Sequence, residues 1–424
     1  MKEIFKKLII NFQERTFSRI VERDYDVPLD TKKIVSLIGV RRSGKTYILF
    51  SLIEKLRQTI DPQNIVYVNF EDDRLYPLGL KDLDDLMEGF YELYPQKREE
   101  KVYLFLDEVQ NIEGWERYVR RVDDTLNVQI FITGSSSKLL SSEIATSLRG
   151  RTITYEIFPF SFKEYLKYKE IEVNLYSSKS VSFIKNAFNR YLVDGGFAET
   201  FDETPDVQNR ILKDYLDLII YKDVLERYLI KNQSLLKHLI KYMFVNMGTL
   251  ISVNKLYNDY KSQGYKIGKD TLQDYLSYLQ EAYALFTTSI YRNSVKEEQR
   301  NPKKLYAIDN GFKKLFSISL SDNYSKLYEN LAFLHLRRQS SEVYYFKQKQ
   351  EVDLYVRLDK EHLVNVAYVI EDEKTFKREI NALVEGMNYF KVDKAYLVTA
   401  DRDEVVEVEE KRIEVIPMWK WLIL

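Results

Sequence analysis

Ile34-Val35-Ser36-Leu37-Ile38-Gly39-Val40-Arg41-Arg42-Ser43-Gly44-Lys45-Thr46-Tyr47-Ile48 decides the fold. An apolar run of strand character ends at Gly39, and residues 39–46 satisfy G-x-x-x-x-G-K-[ST] at every fixed position. Glycines at both ends of the loop permit backbone angles and close approaches that a Cβ would block. The freed amides of Val40, Arg41, Arg42 and Ser43, with the start of a helix at Lys45, Thr46 and Tyr47, form a cradle for phosphate. Lys45 is expected on the β- and γ-phosphates of ATP, and the Thr46 hydroxyl on Mg²⁺.

About 60 residues further on, Val102-Tyr103-Leu104-Phe105-Leu106-Asp107-Glu108 is a short apolar strand closed by two carboxylates. The sequence predicts that this strand lies beside the phosphate-loop strand. Asp107 then holds Mg²⁺, and Glu108 polarises the attacking water as general base. A third strand, 128–132, runs into Thr133-Gly134-Ser135-Ser136-Ser137, where Thr133 or Ser135 can sense the γ-phosphate. Arg149 and Arg151 follow, two candidates for an arginine finger acting in this subunit or in a neighbour's, which brings a homo-oligomer into view. Strands alternating with helices imply a parallel sheet covered on both faces, with nucleotide at the carboxyl ends of its strands.

The chain has 424 residues, too many for one ordinary core, and a formal charge of −1, so it is no general polycation. It has no cysteine and three scattered histidines, which exclude a thiolate metal site and disfavour a histidine one. The basic, amphipathic start reads as a first helix and not as a signal peptide, and no apolar run is long enough to span a bilayer. A cytoplasmic protein without membrane attachment is expected.

Beyond the ATPase region (1–155), residues 156–230 read as a small helical lid turned at Gly195-Gly196-Phe197. Residues 231–304 give three helices and a hairpin, the pattern of a winged helix. From 231 to 314 there are 14 Lys and Arg against 7 Asp and Glu, a surplus that suggests DNA. Lys266 and Lys269 fall at the start of the recognition helix, and Arg292 and Lys296 are expected in the wing. Residues 305–424 follow the order of a restriction-endonuclease-like α/β fold, with Glu329 on the first helix and Asp353 on the second strand. The third strand offers Asn365 and Ala367 where such enzymes need a metal-binding acid and a lysine, so this domain is expected to be inactive. Seventeen acids against eleven bases after residue 350 also argue against a DNA grip there.

The chain resembles the prokaryotic AAA ATPases that carry a carboxy-terminal domain of unknown function, often grouped with archaeal-type ATPases. The shared features are the phosphate loop, Leu106-Asp107-Glu108, Thr133-Gly134-Ser135-Ser136, Leu148-Arg149-Gly150-Arg151, Phe158-Pro159-Phe160-Ser161-Phe162 and Gly195-Gly196-Phe197. Tyr306-x-x-Asp309-x-Gly311 and Glu351-Val352-Asp353 also match, while Ala198 stands where proline is usual. The resemblance implies ATP binding and hydrolysis, a winged helix and a degenerate endonuclease-like end, without implying a substrate. Two function classes follow: an Mg-dependent ATPase coupled to DNA, and a regulatory ATPase that docks a protein partner, for example in a defence system. An ATP-regulated nuclease is the minor third.

Overall fold

Strand β1 (Ile34–Ile38) is buried along its whole length, because every residue but Ser36 is aliphatic and both faces are covered. In the computed structural model, which describes residues 1–17, 19–134, 148–230, 232–316, 324–370 and 372–424, the chain divides into two compact units. The first is Met1–Phe158 and the second Pro159–Leu424.

In the first unit β1 is joined by β2 (Ile65–Asn69), β3 (Val102–Asp107), β4 (Val128–Gly134) and β5 (Thr152–Glu156) in one parallel sheet, ordered β2-β3-β4-β1-β5. The carboxylate strand β3 is therefore not beside the phosphate-loop strand, as expected from sequence; β4 lies between them. Chain order cannot reveal such a crossover, because β3 and β4 are equally apolar and either could pair with β1. Phe105 and Phe131 stack at 4.4 Å within this core. Helix α1 is Lys2–Gln13, α2 is Lys45–Arg57, α3 is Asp84–Leu93 and α4 is Trp115–Thr125. In α2 the apolar residues recur every three or four positions, so Ile48, Leu49, Leu52, Ile53 and Leu56 all face the sheet. Each contributes about 1.5–3 kcal/mol by leaving water.

The second unit begins with α5 (Phe162–Tyr168), whose N-terminus is closed by a capping box of Ser161 and Glu164. Helices α6 (Ser178–Asp194) and α7 (Pro205–Leu218) follow, the latter running on into a π-helical stretch, Ile219–Leu225. The turn after α6 is drawn tight by Asp309, which accepts the Gly196 N–H at 2.7 Å and the Gly311 N–H at 2.8 Å. A Cβ on Gly195, at φ +83°, would fall 1.7 Å from the Asp309 carboxylate. The separate motifs around 195 and 309 are thus two halves of one packed joint.

Next come α8 (Gln233–Val245), β6 (Leu250–Ile251), α9 (Val253–Ser262), α10 (Lys269–Glu281), β7 (Leu285–Thr288), a short α11 (Val295–Arg300) and β8 (Lys303–Ala307). The three strands form an antiparallel sheet ordered β6-β8-β7. After the short α12 (Gly311–Lys314), helix α13 (Tyr324–Arg337) packs with a six-stranded mixed sheet. Its strands are β9 (Val343–Lys347), β10 (Glu351–Arg357), β11 (Glu361–Ala367), β12 (Lys394–Thr399), β13 (Glu404–Val408) and β14 (Lys411–Pro417). They are ordered β13-β14-β12-β11-β10-β9, and helix α14 (Glu373–Phe390) lies against the sheet. Leu363, Leu383, Met387, Leu397 and Val415 fill its core.

Candidate nucleotide site

The phosphate loop forms where β1 ends. Gly39, at φ +145°, brings its Cα so close to the chain after β5 that a Cβ would sit 2.2 Å from the Ile157 carbonyl. Gly44 is left-handed and starts α2. Lys45 is 4% exposed, and its ammonium donates to the Gly39 and Val40 carbonyls at 3.1 and 3.0 Å, inside the loop's own curve. Val40 and Ser43 are buried, whereas Tyr47 is exposed on α2. Arg42 takes a left-handed φ of +64°, and Arg41 is 3.4 Å from Glu71. The buried Ser43 hydroxyl has no partner among the described residues, which is what a loop shaped for phosphate oxygens leaves behind.

Asp107, fully buried at the end of β3, is where the polar groups converge. It accepts from Thr46 Oγ1 at 2.8 Å, from Tyr67 Oη at 2.7 Å, and from the Thr133 hydroxyl. Burial raises its carboxyl above the usual range, against the pull of the Thr133 hydrogen bond. The same burial, with the adjacent Asp107 charge, raises the Tyr67 phenol strongly, so Tyr67 is a firm donor. A hydroxyl and a carboxylate sharing one position are hard oxygen donors suited to Mg²⁺. Glu108 follows in a left-handed conformation, φ +55°. Its backbone N–H donates to Thr133 Oγ1 at 2.9 Å, and its carboxylate accepts from the Gln110 amide. The Thr133 hydroxyl therefore ties Asp107 to Glu108. The alternative, Ser135, lies outside the described residues.

Arg149 and Arg151 are placed elsewhere. The Arg151 carbonyl accepts the Ile34 N–H at 2.8 Å, which puts both arginines at the amino end of β1, about 16 Å of strand from the loop. Arg151 is bonded to Asp124 at 2.6 Å, and Arg149 is exposed. Neither serves the phosphate loop of its own subunit, which corrects that part of the expectation. Sequence reasoning also missed two residues. Arg23 pins the loop, donating to the carbonyls of Ser43 at 2.9 Å and Phe158 at 2.8 Å. Tyr67 buttresses Asp107 from a strand not adjacent in sequence, and no motif marks either one.

Among the other expected residues, Lys266 and Lys269 are exposed in the turn before α10 and at its first position. Lys296 is on α11 and not on a β-wing. Arg292 is half-buried and donates to the carbonyls of Tyr291 at 3.1 Å and Lys347 at 2.9 Å. The link from β7 to β8 is thus no free hairpin loop. It pairs along β9, with Tyr291 N–H on the Tyr345 carbonyl at 2.7 Å. Lys304 and Lys313 are buried and Lys314 is paired with Asp194, so the surface of this module is less basic than its composition.

A phosphate loop, an Asp-Glu pair ending β3, one strand removed from β1, and a β-sheet ordered β2-β3-β4-β1-β5 define a P-loop ATPase with a mixed α/β fold. Comparison with known proteins agrees: the family described as AAA domain matches residues 31–166, and a domain of unknown function (DUF8612) matches 185–320. The uncharacterized protein MJ1544 of Methanocaldococcus jannaschii is 36% identical over 99% of this chain and 95% of its own length. An uncharacterized protein of Haemophilus influenzae is 32% identical over 93% of this chain and 95% of that one. The chain belongs to the family of these proteins, and it is an ATP hydrolase. Among solved structures, the Walker-type ATPase PABY2304 of Pyrococcus abyssi is similar at 17% identity, over 67% of this chain and 90% of that one, with a TM-score of 0.39. A likeness that distant carries no argument about function. No helix among the described residues is long and apolar enough to cross a membrane.

Proposed function

We propose that the ATPase is Mg²⁺-dependent and couples its nucleotide state to the backbone of duplex DNA through residues 231–304, read as a winged helix. In the nucleotide site Thr46 and Asp107 would hold Mg²⁺, which neutralises phosphate charge when bound. Lys45 stabilises the β/γ-phosphates, Glu108 takes the proton of the attacking water, and Thr133 keeps the two acids in register. The order α8-β6-α9-α10-β7-α11-β8, with its β6-β8-β7 sheet, supports the winged-helix reading, although α11 stands in the link where a wing loop would be.

One observation carries the DNA assignment. Lys261 and Lys269 both lie over the Tyr257 ring, 5.8 and 5.4 Å from its centroid, with exposed Lys266 in the turn between them. Two ammoniums held over one ring beside the start of α10, with an exposed lysine in the adjoining turn, suit phosphates, which fix affinity without reading sequence. A second reading, docking of a protein partner, is favoured by Asp270 and Asp274, exposed on the same helix face. Duplex-binding measurements over a salt series separate the two. Reversing Lys261, Lys266 and Lys269 to Glu is expected to abolish binding and its salt dependence while basal ATP hydrolysis persists. A parent that binds no duplex at roughly 50–100 mM salt transfers the assignment to the protein-docking reading.

A further inference from the structure

A heavily charged cluster of the second unit, centred on a buried lysine, lies far in sequence from the phosphate loop. Lys304, on β8, is only 5% exposed in its side chain, yet its ammonium faces three carboxylates. It is 3.0 Å from Glu329 Oε1 on α13, 3.1 Å from Glu351 Oε1 and 2.9 Å from Asp353 Oδ1 on β10. Of its three donors two are hydrogen-bonded to Glu329 and Asp353, and the Glu351 carboxylate completes the ion-pair cluster. The Tyr345 ring lies 5.9 Å away, and the Tyr306 hydroxyl donates to Glu329 at 2.9 Å. Burial alone would lower the lysine, but Asp353 and Glu329 hold it well above its ordinary range, so it stays charged.

The rest of the centre is also satisfied. Asp353 Oδ2 accepts the Val366 N–H at 2.9 Å, its own N–H donates to Asn365 Oδ1 at 3.1 Å, and Asn365 Nδ2 donates to Glu379 at 2.8 Å. Asn365, neutral on β11, thus serves as a hydrogen-bond bridge and not as a ligand. Three convergent carboxylate oxygens around one cation is how a hard divalent ion is held, except that here the cation belongs to the chain. A second cation beside the ammonium would meet strong repulsion in this buried setting.

We propose that the Lys304 ammonium is the resident cation of the Glu329–Glu351–Asp353 centre and takes the place of a divalent metal. The centre then fastens β8, and with it the β6-β8-β7 sheet, to the six-stranded sheet, and cuts no phosphodiester bond. β11 carries no lysine; the fold supplies one from β8 and uses it as a counter-ion.

Mn²⁺ binding to the full chain without nucleotide, read from the free-Mn²⁺ paramagnetic signal, tests this. The four proteins are the parent, Asp353→Asn, Lys304→Ala and Lys304→Ala/Asp353→Asn; Thr46 and Asp107 are common to all, so only differences count. Parent and Asp353→Asn are expected to bind equally. Lys304→Ala should gain one equivalent, and the double variant should lose it again. Lys304→Ala should also melt lower in EDTA and recover with Mn²⁺; if it folds only with Mn²⁺, by circular dichroism, the proposal is likewise supported. A parent that binds an equivalent absent from Asp353→Asn overturns it. So does a Lys304→Ala protein that gains none, or that folds in neither condition.

Discussion

Thr46 Oγ1 donates to Asp107 Oδ2 at 2.8 Å, although the strands that deliver them, β1 and β3, are separated in the sheet by β4. The reach comes from the phosphate loop, which carries the chain from the end of β1 to the first turn of α2, where Thr46 stands. Two hard oxygens are thereby brought together before any cation arrives.

Glu108→Gln is expected to keep ATP affinity and lower turnover by about 10²–10⁴-fold, because the amide retains the shape but cannot take a proton. Lys45→Ala is expected to weaken ATP binding by roughly ten- to a hundredfold, the loss of charge-assisted contacts to phosphate. Equilibrium binding of a fluorescent ATP analogue, paired with phosphate release, separates the two. Turnover at the parent rate in Glu108→Gln would remove Glu108 from the role of base.

Thr133→Val keeps the side-chain shape and deletes the hydroxyl that links Asp107 to the Glu108 amide. Turnover should fall by roughly ten- to a hundredfold with little change in KM, since the acids lose their register and the phosphate loop does not. An unchanged kcat would make Thr133 a structural residue only.

Arg149 and Arg151 stand at the amino end of the sheet, so any effect on hydrolysis must act on a neighbouring subunit. Each Ala variant, and then the two together, is mixed with Lys45→Ala protein, and phosphate release is followed. Activity above that of either component alone is the expected sign of a trans arginine. A mixture no better than the sum of its parts, with parent-like turnover in the arginine variants, ends the idea.

Stability against pH should reveal two opposed groups in the second unit. Burial lifts Asp309 to about 6, above its unfolded value, so its contribution is fully present below about pH 4 and is lost as pH rises through 6. Burial, helped by Arg338 and Lys163, lowers His335 to about 4, so its contribution is present above about 6.5 and is lost as pH falls through 4. Each amounts to about 3 kcal/mol, and between pH 4 and 6 they offset each other. Denaturant unfolding of Asp309→Asn should therefore lose stability on acidification, and His335→Gln should gain it. Parallel pH profiles for the two variants would show that neither group titrates as assigned.

The nucleotide chemistry was legible in the chain because it is local. Gly39, Gly44, Lys45 and Thr46 must occupy one loop, and an acid pair must end a strand, so their spacing announces them. Helix limits were legible for the same reason, as the buried stripe of α2 shows. What the linear chain left open were the long-range pairings. The insertion of β4 between β1 and β3, the clasp of Arg23 on the Ser43 carbonyl, and the place of Arg151 at the far end of the sheet each depend on which strands pair. The Lys304 centre depends on it most. By sequence Glu329 and Asp353 fit a nuclease whose third strand, β11, lacks both the metal-binding acid and the lysine. Only the folding of β8 against α13 and β10 brings the Lys304 ammonium in, since three half-buried carboxylates drawn together require a cation and the tertiary structure decides which one they receive.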